Sequence, residues 1–345
     1  MHSFAKGKKI NLHTMKLSWQ IIQLNLKEVF SISYGNYSFR NALIIQLSQN
    51  NISGFGECTE IDYYQINLQD FSKKLVEIQA NIETQKISHP TEFYQFLVSL
   101  QLPSFLRSAL DCAYWDLYGK LENKSFFELC HLNPSKNIES SITISVAPIE
   151  EQIQKIETSS WNKFKVKCKG LDKNSLHKLL NLNRNIALDS NASFTEEDCI
   201  WIQNQEFTQY FTYLEQPMGI NHYHVLNKNH FANWMADEDS QNDENLSQLL
   251  PHYRSINIKL QKCGGITPTL DLVKKCRELG FKLMIGCMTE SSIGISAGIA
   301  VSALFDYADL DGATLISNDI AQGHHVENGK LIFSEKAGLG IKIKA

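Results

Sequence analysis

Charged residues recur at nearly constant spacing in the middle of this chain, and each of them closes a short apolar run. The steps between them are 22, 26, 22 and 22 residues, and the residues are Lys167, Asp189, Glu215, Asp237 and Lys259. Apolar runs separated by helical segments are typical of a parallel sheet, because parallel strands need a crossover between them. The spacing therefore predicts a βα repeat with a charged side chain at the end of successive strands.

Eight strand-like segments fit this repeat. They cover residues 142–146, 164–167, 186–189, 211–215, 234–237, 256–259, 283–286 and 307–309. An open doubly wound sheet is the alternative, but no glycine-rich phosphate loop follows the first strand. We therefore predict an α/β fold of the TIM-barrel type, in which the strand ends meet at one mouth.

The residues before the repeat follow a different pattern. Three strands and then helices, without alternation, predict a small α+β domain. The strands are expected at residues 19–29, 42–47 and 54–57, with a loop over 30–39, and the helices at 70–87 and 104–129. We divide the chain into a tag or disordered leader (1–14), the α+β domain (15–135), the barrel (136–322) and a segment that returns to the first domain (323–345).

Composition excludes several classes of protein. A net charge of −4, without a basic run, gives no reason to expect nucleic-acid binding. The eight cysteines form no C-x-x-C pair, so we expect free thiols in a reducing compartment. The polar residues 1–14 have no apolar core of a signal peptide, and the apolar run 293–305 is too short to span a bilayer. A cytoplasmic protein without membrane or nucleic-acid partners is predicted.

Three of the charged strand ends are carboxylates, namely Asp189, Glu215 and Asp237. Like charges that are packed together raise each other's pKa and destabilise the site unless a cation compensates them. A set of oxygen ligands without histidine or thiolate favours Mg²⁺. We predict one Mg²⁺ per subunit, against the alternative that each carboxylate is a solvated strand end.

The lysines complete a site for removing a proton from a carbon next to a carboxylate. Lys165 and Lys167 are two residues apart on one strand and point to the same face, whereas Lys259 lies on a strand roughly across the barrel. A lysine base must be neutral, so its pKa has to be lowered by burial or by a neighbouring cation, as Lys165 would do for Lys167. Lysines on both faces of one carbon predict racemisation or epimerisation; an exposed strand edge is the alternative for Lys165 and Lys167.

These residues resemble the enolase superfamily in its muconate-lactonising subgroup. The matching motifs are FKVK (164–167), ALDSN (187–191), LEQP (214–217), MADE (235–238) and NIKLQKCGG (257–265), with GFGE (54–57) and DCAYWD (111–116) nearer the start. The resemblance extends from Met15 to the end of the chain. It implies an α+β capping domain over a modified (β/α)7β barrel, Mg²⁺ on the three carboxylates, and Lys167 and Lys259 as the acid/base pair.

Within the subgroup, the end of the eighth strand resembles the dipeptide epimerases. Asp309 and Asp311 are similar to the D-x-D motif that holds the α-ammonium of the substrate in that group. Capping of the following turn is the alternative role for these two residues. The further contacts expected with the substrate are Cys287, Met288 and Thr289 after the seventh strand and Tyr34 in the capping domain.

The capping loop departs from one pattern of this group. Some L-Ala-D/L-Glu epimerases carry an arginine there that clamps the glutamate side chain. Residues 31–35 contain no basic residue, and the next one along the chain is Arg40. A broader specificity for L-Ala-X, with neutral or apolar X included, is therefore expected, although Arg40 or a lysine elsewhere could reach the same place.

The leading hypothesis is a Mg²⁺-dependent dipeptide epimerase. It inverts the α-carbon of X in L-Ala-X (L-Ala-D/L-Glu or a broader X) by two-lysine 1,1-proton transfer through an enolate, within peptidoglycan peptide metabolism, and we expect a homo-oligomer. On the same fold, o-succinylbenzoate synthase and cycloisomerase remain as alternatives. A barrel that binds small molecules without catalysis is the alternative of another class.

Overall fold

The structure is a computed structural model, and it describes residues 15–134 and 138–344. Two predictions lie outside the described residues. One is the leader over residues 1–14, and the other is the exact boundary between the domains at residues 135 and 136.

The amino-terminal part contains an antiparallel sheet of three strands, which are β1 (Lys16–Ile32), β2 (Gly35–Gln49) and β3 (Ile52–Thr59). The loop predicted over residues 30–39 is wrong, because β1 and β2 stay paired up to Ile32 and Gly35 and leave only a two-residue turn. Polar side chains made this stretch resemble a loop, whereas the ladder depends on backbone hydrogen bonds and tolerates polar residues on its exposed face.

Four helices follow this sheet, namely α1 (Leu68–Glu83), α2 (Pro90–Ser99), α3 (Ser104–Leu121) and α4 (Phe126–Leu129). Helix α2 was not predicted. The helix predicted over residues 104–129 is in fact two helices, because Asn123 adopts a left-handed conformation with φ of 52° after α3. Ser125 and Glu128 then form a capping box that starts α4.

Two glycines allow β3 to lie directly against α3. A Cβ atom on Gly56 would lie 2.0 Å from the carbonyl oxygen of Ala109, and one on Gly54 would lie 2.2 Å from the backbone nitrogen of Leu117. No side chain fits these positions, so the sheet and the helix approach backbone to backbone. This contact fixes Glu57, the next residue, where it reaches the barrel.

The eight predicted strand segments all contain a strand, and the strands form one parallel sheet in sequence order. They are β4 (Ile142–Ile144), β5 (Lys163–Lys167), β6 (Asn185–Asp189), β7 (Leu214–Glu215), β8 (Trp234–Ala236), β9 (Ser255–Lys259), β10 (Lys282–Gly286) and β11 (Tyr307–Asp309). A bridge between Ser140 and Ala308 joins the two edges, so the sheet is a nearly closed barrel. The predicted fold is confirmed.

Helices cross between successive barrel strands on the outside. They are α5 (Ile149–Thr158), α6 (Lys173–Leu180), α7 (Glu196–Gln203), α8 (Leu246–Leu249), α9 (Leu260–Cys263), α10 (Ile266–Glu278) and α11 (Ser292–Val301). A single 3₁₀ turn, Tyr223–Val225, takes the place of a helix between β7 and β8. No helix in residues 15–134 and 138–344 is both long and apolar enough to cross a membrane.

The last segment forms two small antiparallel pairs. Strand β12 (Ala321–Gln322) pairs with β15 (Lys342–Ile343), and β13 (His325–Glu327) pairs with β14 (Lys330–Ile332). The backbone nitrogen of Leu339 donates to Asp116 of α3 at 2.9 Å. The segment therefore lies against the amino-terminal domain.

Side chains fill the barrel beneath its mouth. Ala187, Tyr213, Met235 and Met284 form a cluster inside the sheet, separate from the larger core between the strands and the outer helices. A filled interior leaves the carboxyl ends of the strands as the place where polar groups can meet. The eight cysteines are free thiols, as predicted.

Candidate active site

The predicted charged residues do stand at the strand ends. Lys167, Asp189, Glu215 and Lys259 are the last residues of β5, β6, β7 and β9, and Asp237 directly follows β8. The parallel register places Lys167 beside Asp189, and Asp189 beside Glu215. All five side chains are buried or nearly so and lie at the mouth that the capping domain covers.

Asp189 is paired with a lysine on the neighbouring strand. Lys167 Nζ donates to Asp189 Oδ2 at 2.5 Å and to Asn191 Oδ1 at 3.1 Å. Burial alone would raise the pKa of Asp189, but the charges of Lys167 and Lys165 outweigh it and hold the pKa below its usual value. The carboxylate is therefore ionised within a desolvated site.

Glu215 is the least satisfied of the three carboxylates. Its Oε1 accepts from Asn257 Nδ2 at 2.6 Å, but its buried Oε2 has no hydrogen-bond partner among the described residues. Lys165 Nζ lies 3.6 Å from this oxygen and 3.6 Å from Asp189 Oδ2. Burial and the nearby charge of Asp189 raise the pKa of Glu215 to about 8.

Asp237 lies between two ammonium groups. Lys259 Nζ donates to its Oδ2 at 2.8 Å, and Lys262 Nζ donates to its Oδ1 at 2.6 Å. Burial would raise the pKa of Asp237, but the two lysines lower it well below its usual value. Lys262, which also donates to the carbonyl groups of Ser240 and Asn257, was missed by the sequence analysis. A lysine in the first turn after a strand looks solvent-exposed, and nothing local in the sequence marks this one as buried.

The two predicted catalytic lysines lie on opposite sides of the carboxylates. Strands β5 and β9 are four positions apart in the eight-stranded order, so Lys167 and Lys259 face each other across the mouth. Lys167 contacts the acid on the β6 side, and Lys259 contacts the acid that follows β8.

The expectation that a catalytic lysine has a lowered pKa is not met at Lys259. Burial lowers the pKa of Lys259, but Asp237 and neighbouring acids outweigh burial and raise it above its usual value. The pKa of Lys165 is raised in the same way, chiefly by Asp309, to which its ammonium is hydrogen-bonded. Lys165 therefore neutralises a carboxylate rather than acting as a free charge beside Lys167.

The three carboxylates at the mouth were predicted to bind a divalent cation, and their surroundings show whether they suit one. Within residues 15–134 and 138–344 no three acidic, histidine or cysteine side chains are arranged around one point as ligands, because ammonium groups lie between the carboxylates. Two buried oxygens without a partner, Glu215 Oε2 and Glu238 Oε2, nevertheless indicate missing positive charge. Oxygen donors of this kind suit Mg²⁺, so the residues fit the predicted ion.

A cavity lies directly above these groups. Its lining includes Lys165, Lys167 and Lys259, and each of the three predicted metal ligands lies within 3.6 Å of one of these lysines. The predicted substrate contacts that line the cavity are Tyr34, Cys287, Met288, Thr289, Asp309 and Asp311. Arg40, named from the sequence as a residue that could reach this place, also lines the cavity, as do Phe30, Ile32, Ile61, Tyr64, Thr143, Asn191, Glu238, Gly312 and Leu315.

The two aspartates of the D-x-D motif both reach the cavity, but their surroundings differ. Asp309 accepts from the ammonium of Lys165 and from Ser141 Oγ at 2.8 Å. Asp311 accepts from the backbone nitrogen of Thr143 at 2.6 Å, and burial together with the charge of Asp309 raises its pKa to about 6. The pair thus carries more negative charge than Lys165 alone compensates.

The capping domain is attached to the barrel by its own buried acids. Glu57 accepts from the backbone nitrogens of Ser291, at 2.9 Å, and Gly294, at 3.1 Å, where α11 begins. Asp111 accepts from the backbone nitrogen of Thr267 at 2.9 Å, where α10 begins. These caps fix the domain over the mouth.

Comparison with known proteins agrees with this architecture. Residues 149–345 match the family described as Enolase C-terminal domain-like. An L-Ala-D/L-amino acid epimerase of Maribacter sp. is 34% identical over 337 residues, which are 95% of this chain and 99% of that protein. An enzyme of the same name from Flavobacterium johnsoniae is 31% identical over 335 residues, 95% of this chain and 100% of that protein.

A solved structure has the same fold. The dipeptide epimerase from Cytophaga hutchinsonii, complexed with Mg and the dipeptide D-Ala-L-Val, superposes with a TM-score of 0.87 at 20% identity over 96% of each chain. The chain therefore belongs to the enolase superfamily and, within it, to the family that contains these dipeptide epimerases. The resemblance stated from the motifs is confirmed.

Proposed function

We propose that this chain is a Mg²⁺-dependent dipeptide epimerase that inverts the α-carbon of the C-terminal residue X of L-Ala-X. The observation that carries the proposal is the pair of lysines on opposite sides of the mouth, both lining one cavity and each paired with a carboxylate. Curated relatives that match over nearly the full length are named L-Ala-D/L-amino acid epimerases, which supports the reaction class.

Each lysine moves a proton at the α-carbon of X. For inversion, one lysine takes the proton from one face while the other gives a proton to the opposite face, so one must be neutral when the other is charged. Asp189, Glu215 and Asp237 would hold the cation, which when bound supplies positive charge to the substrate carboxylate and makes the α-proton acidic.

The protonation of the lysines depends on the same acids. Asp237 now holds Lys259 in its charged form, because an uncompensated carboxylate 2.8 Å away outweighs the effect of burial. A cation held by Asp237 would reduce this attraction. Burial of the Lys259 side chain would then favour the neutral amine. Burial would thus lower the pKa of the lysine once a cation compensates the acids.

Asp309 and Asp311 would receive the α-ammonium group of the substrate. Both lie on the wall of the cavity, and the ammonium of Lys165, which is hydrogen-bonded to Asp309, compensates only one of their two negative charges. A dipeptide bound by its ammonium at this wall places its carboxylate towards the lysines and the three acids. The arrangement orients X, rather than the first residue, between Lys167 and Lys259.

Incubation with a library of L-Ala-L-X dipeptides in D₂O with Mg²⁺ tests the proposal. We expect deuterium at the α-carbon of X together with formation of L-Ala-D-X, measured by NMR and chiral chromatography. Absence of α-deuterium across the library would contradict epimerisation. Asp309→Asn should abolish the exchange, whereas o-succinylbenzoate synthase or cycloisomerase activity, whose substrates lack an ammonium group, would persist in this variant.

Three wider predictions belong to this proposal. They are a role in peptidoglycan peptide metabolism, a cytoplasmic location and a homo-oligomeric enzyme. Cell fractionation and sedimentation of the purified protein measure the last two.

A further inference from the structure

Strand β1 forms one edge of the sheet in the capping domain. The strand order is β1-β2-β3, so β2 pairs with one side of β1. Among the described residues, no strand pairs with the other side before the bridge between Leu26 and Ile316. An edge of this kind presents backbone N–H and C=O groups that can pair with another chain, so the partners of these groups decide what the edge can bind.

Side-chain contacts cover this edge at both of its ends. The backbone nitrogen of Leu17 donates to Glu83 Oε1 at 3.0 Å, and the carbonyl group of Leu17 accepts from Gln79 Nε2 at 3.1 Å. Further along, the backbone nitrogen of Asn25 donates to Asn318 Oδ1 at 2.7 Å. Because the backbone groups of a strand alternate in direction, these contacts show that the odd-numbered residues of β1 direct their N–H and C=O groups away from β2.

Two residues between the covered ends keep their outward groups unpaired. The outward backbone groups of Trp19 and Ile21 have no hydrogen-bond partner among the described residues. The next outward residue, Gln23, has its carbonyl group occupied by Asn318 Nδ2 at 2.8 Å. The open part of the edge therefore consists of two N–H and two C=O groups, which lie on either side of Gln20.

The surface around this open part is apolar. Residues 18–22 carry no charge, and Trp19 and Ile21 are only half-buried. Val76 is 65% exposed and lies one turn before Gln79 on the face of α1 that reaches the edge. Apolar side chains that are exposed beside an open strand edge are typical of a surface that another chain covers.

A groove lies beside the same residues of β1. Ser18 and Gln20 line it together with apolar side chains from β2, β3 and the last segment of the chain, namely Ile44, Phe55, Ile320 and Ile343. Its volume is about 590 Å³, and none of its described lining residues is acidic. A strand that extended the sheet at this edge would place its own apolar side chains over the groove.

The symmetry of the open groups selects a second copy of this chain as the partner. Two antiparallel β1 strands related by a twofold axis through Gln20 place Trp19 of one copy opposite Ile21 of the other. Each free N–H group then meets a free C=O group, and four hydrogen bonds form. The covered residues Leu17 and Gln23 lie three positions on either side of the axis, so both copies end their pairing at the same place.

We propose that this chain forms a homodimer in which the β1 strands of two copies pair antiparallel about Gln20 and join the two capping sheets into one sheet of six strands. The inference specifies the interface of the homo-oligomer that the proposed function includes, and it is independent of the identity of X. Phe30 and Ile32, which line the cavity, lie at the opposite end of β1, so the dimer leaves the cavity as it is.

Gln20→Cys tests the pairing directly. At the twofold axis the two cysteines would be a non-hydrogen-bonded pair with Cα atoms about 4.5 Å apart, which a disulfide can bridge. We expect mild oxidation to convert most of this variant into a covalent dimer on non-reducing electrophoresis. Ser18→Cys is the matched control, since it is exposed on the same face of β1 but lies four residues out of register with its copy. The wild type, whose cysteines are buried or half-buried, gives the background.

Ile21→Pro tests the hydrogen bonds of the interface. It removes two of the four bonds between the copies without loss of a bond to β2, because the N–H group of Ile21 points outward. Sedimentation over a dilution series should show a dimer dissociation constant at least about tenfold higher than that of the wild type. Ile21→Val keeps the N–H group and should dimerise like the wild type. Thermal unfolding of both variants reports any general loss of stability.

Three results would overturn the proposal. A monomeric wild type would refute the expected homo-oligomer together with this interface. A wild-type oligomer in which Gln20→Cys forms no more covalent dimer than Ser18→Cys would place the interface elsewhere, even if Ile21→Pro fails to fold. An Ile21→Pro protein with the dissociation constant of the wild type would show that β1 does not pair. Exchange in D₂O measures epimerisation separately, so failure of the dimer and failure of the epimerase are distinguishable.

Discussion

Two groups of buried carboxylates in this molecule differ in the hydrogen-bond donors that surround them. At the interface between the domains, Glu57 and Asp111 accept hydrogen bonds from the backbone at the starts of α11 and α10. At the mouth, Asp189, Glu215 and Asp237 contact side-chain ammonium groups, and Glu215 Oε2 has no hydrogen-bond partner among the described residues.

Backbone nitrogens and side-chain ammonium groups, as hydrogen-bond donors to a buried acid, suit different roles. A backbone nitrogen at a helix start cannot leave its acceptor, so the interface acids hold the capping domain at one position on the barrel. An ammonium group can lose its proton or give way to a metal ion, so the acids at the mouth can exchange charge during a reaction. Both groups of carboxylates are buried. Backbone donors accompany the acids with a structural role, whereas ammonium donors accompany the acids proposed to take part in the reaction.

The largest effect is expected at the mouth. In Asp189→Asn, kcat/KM should fall by at least about 10³-fold, because loss of the metal removes several kcal/mol of charge stabilisation. The free energy of unfolding in urea should change much less than the activation free energy, since loss of the pair with Lys167 is offset by weaker repulsion of Glu215 and Asp237. A variant that loses its activity only because it unfolds would contradict the assignment of Asp189 to the chemistry.

The converse is expected at the interface. Glu57→Gln should lower the free energy of unfolding by about 2–3 kcal/mol, because the amide nitrogen cannot accept and leaves buried donors at the start of α11 unmatched. Measured per folded enzyme, kcat/KM should stay close to that of the wild type. Glu60→Gln, next to the same strand, is the control, because Glu60 accepts from Asn41 within the capping domain. Equal stability of the two variants would show that Glu57 does not hold the domains together.

The pH dependence of stability gives a smaller effect. Burial raises the pKa of Glu57 from its usual 4.5 to about 7, and that of Asp111 from 3.8 to about 7. Stability from these groups is therefore complete below their unfolded pKa values and is lost as the pH rises towards 7, by at most about 1.4 kcal/mol per pH unit for each group.

Urea unfolding between pH 5 and pH 7 measures this loss. Under the proposed binding of Mg²⁺ at the mouth, saturating Mg²⁺ keeps those acids in one state throughout. Asp111→Asn should show a shallower fall of stability with pH than the wild type. An unchanged slope would mean that this acid titrates alike in the folded and unfolded chain.

The sequence predicted the barrel and its charged strand ends well, because both follow from local patterns. Asp189 and Glu215 end apolar runs, and the parallel register alone then makes them neighbours. The position of Lys262 could not be predicted in this way. Its burial depends on Asp237 and on carbonyl groups from other loops, which are distant in sequence.

The capping domain was predicted less well for a related reason. The hairpin of β1 and β2 extends through polar residues that resemble a loop, so the sequence alone places Arg40 beyond the capping loop rather than in the wall of the cavity. Pairing of Arg40 with Leu24 instead fixes it in the wall of the cavity. Cross-strand pairing is non-local, and no periodicity within residues 30–40 shows it.

Stereospecific exchange in variants with a single catalytic lysine tests the central claim most directly. Lys167→Ala and Lys259→Ala are incubated in D₂O and Mg²⁺ with each epimer of an L-Ala-X substrate. We predict that each variant exchanges the α-proton of one epimer only, that the two variants differ in which epimer this is, and that neither interconverts them. Interconversion by either variant, or loss of exchange with the same epimer in both, would contradict two lysines acting on opposite faces of one carbon.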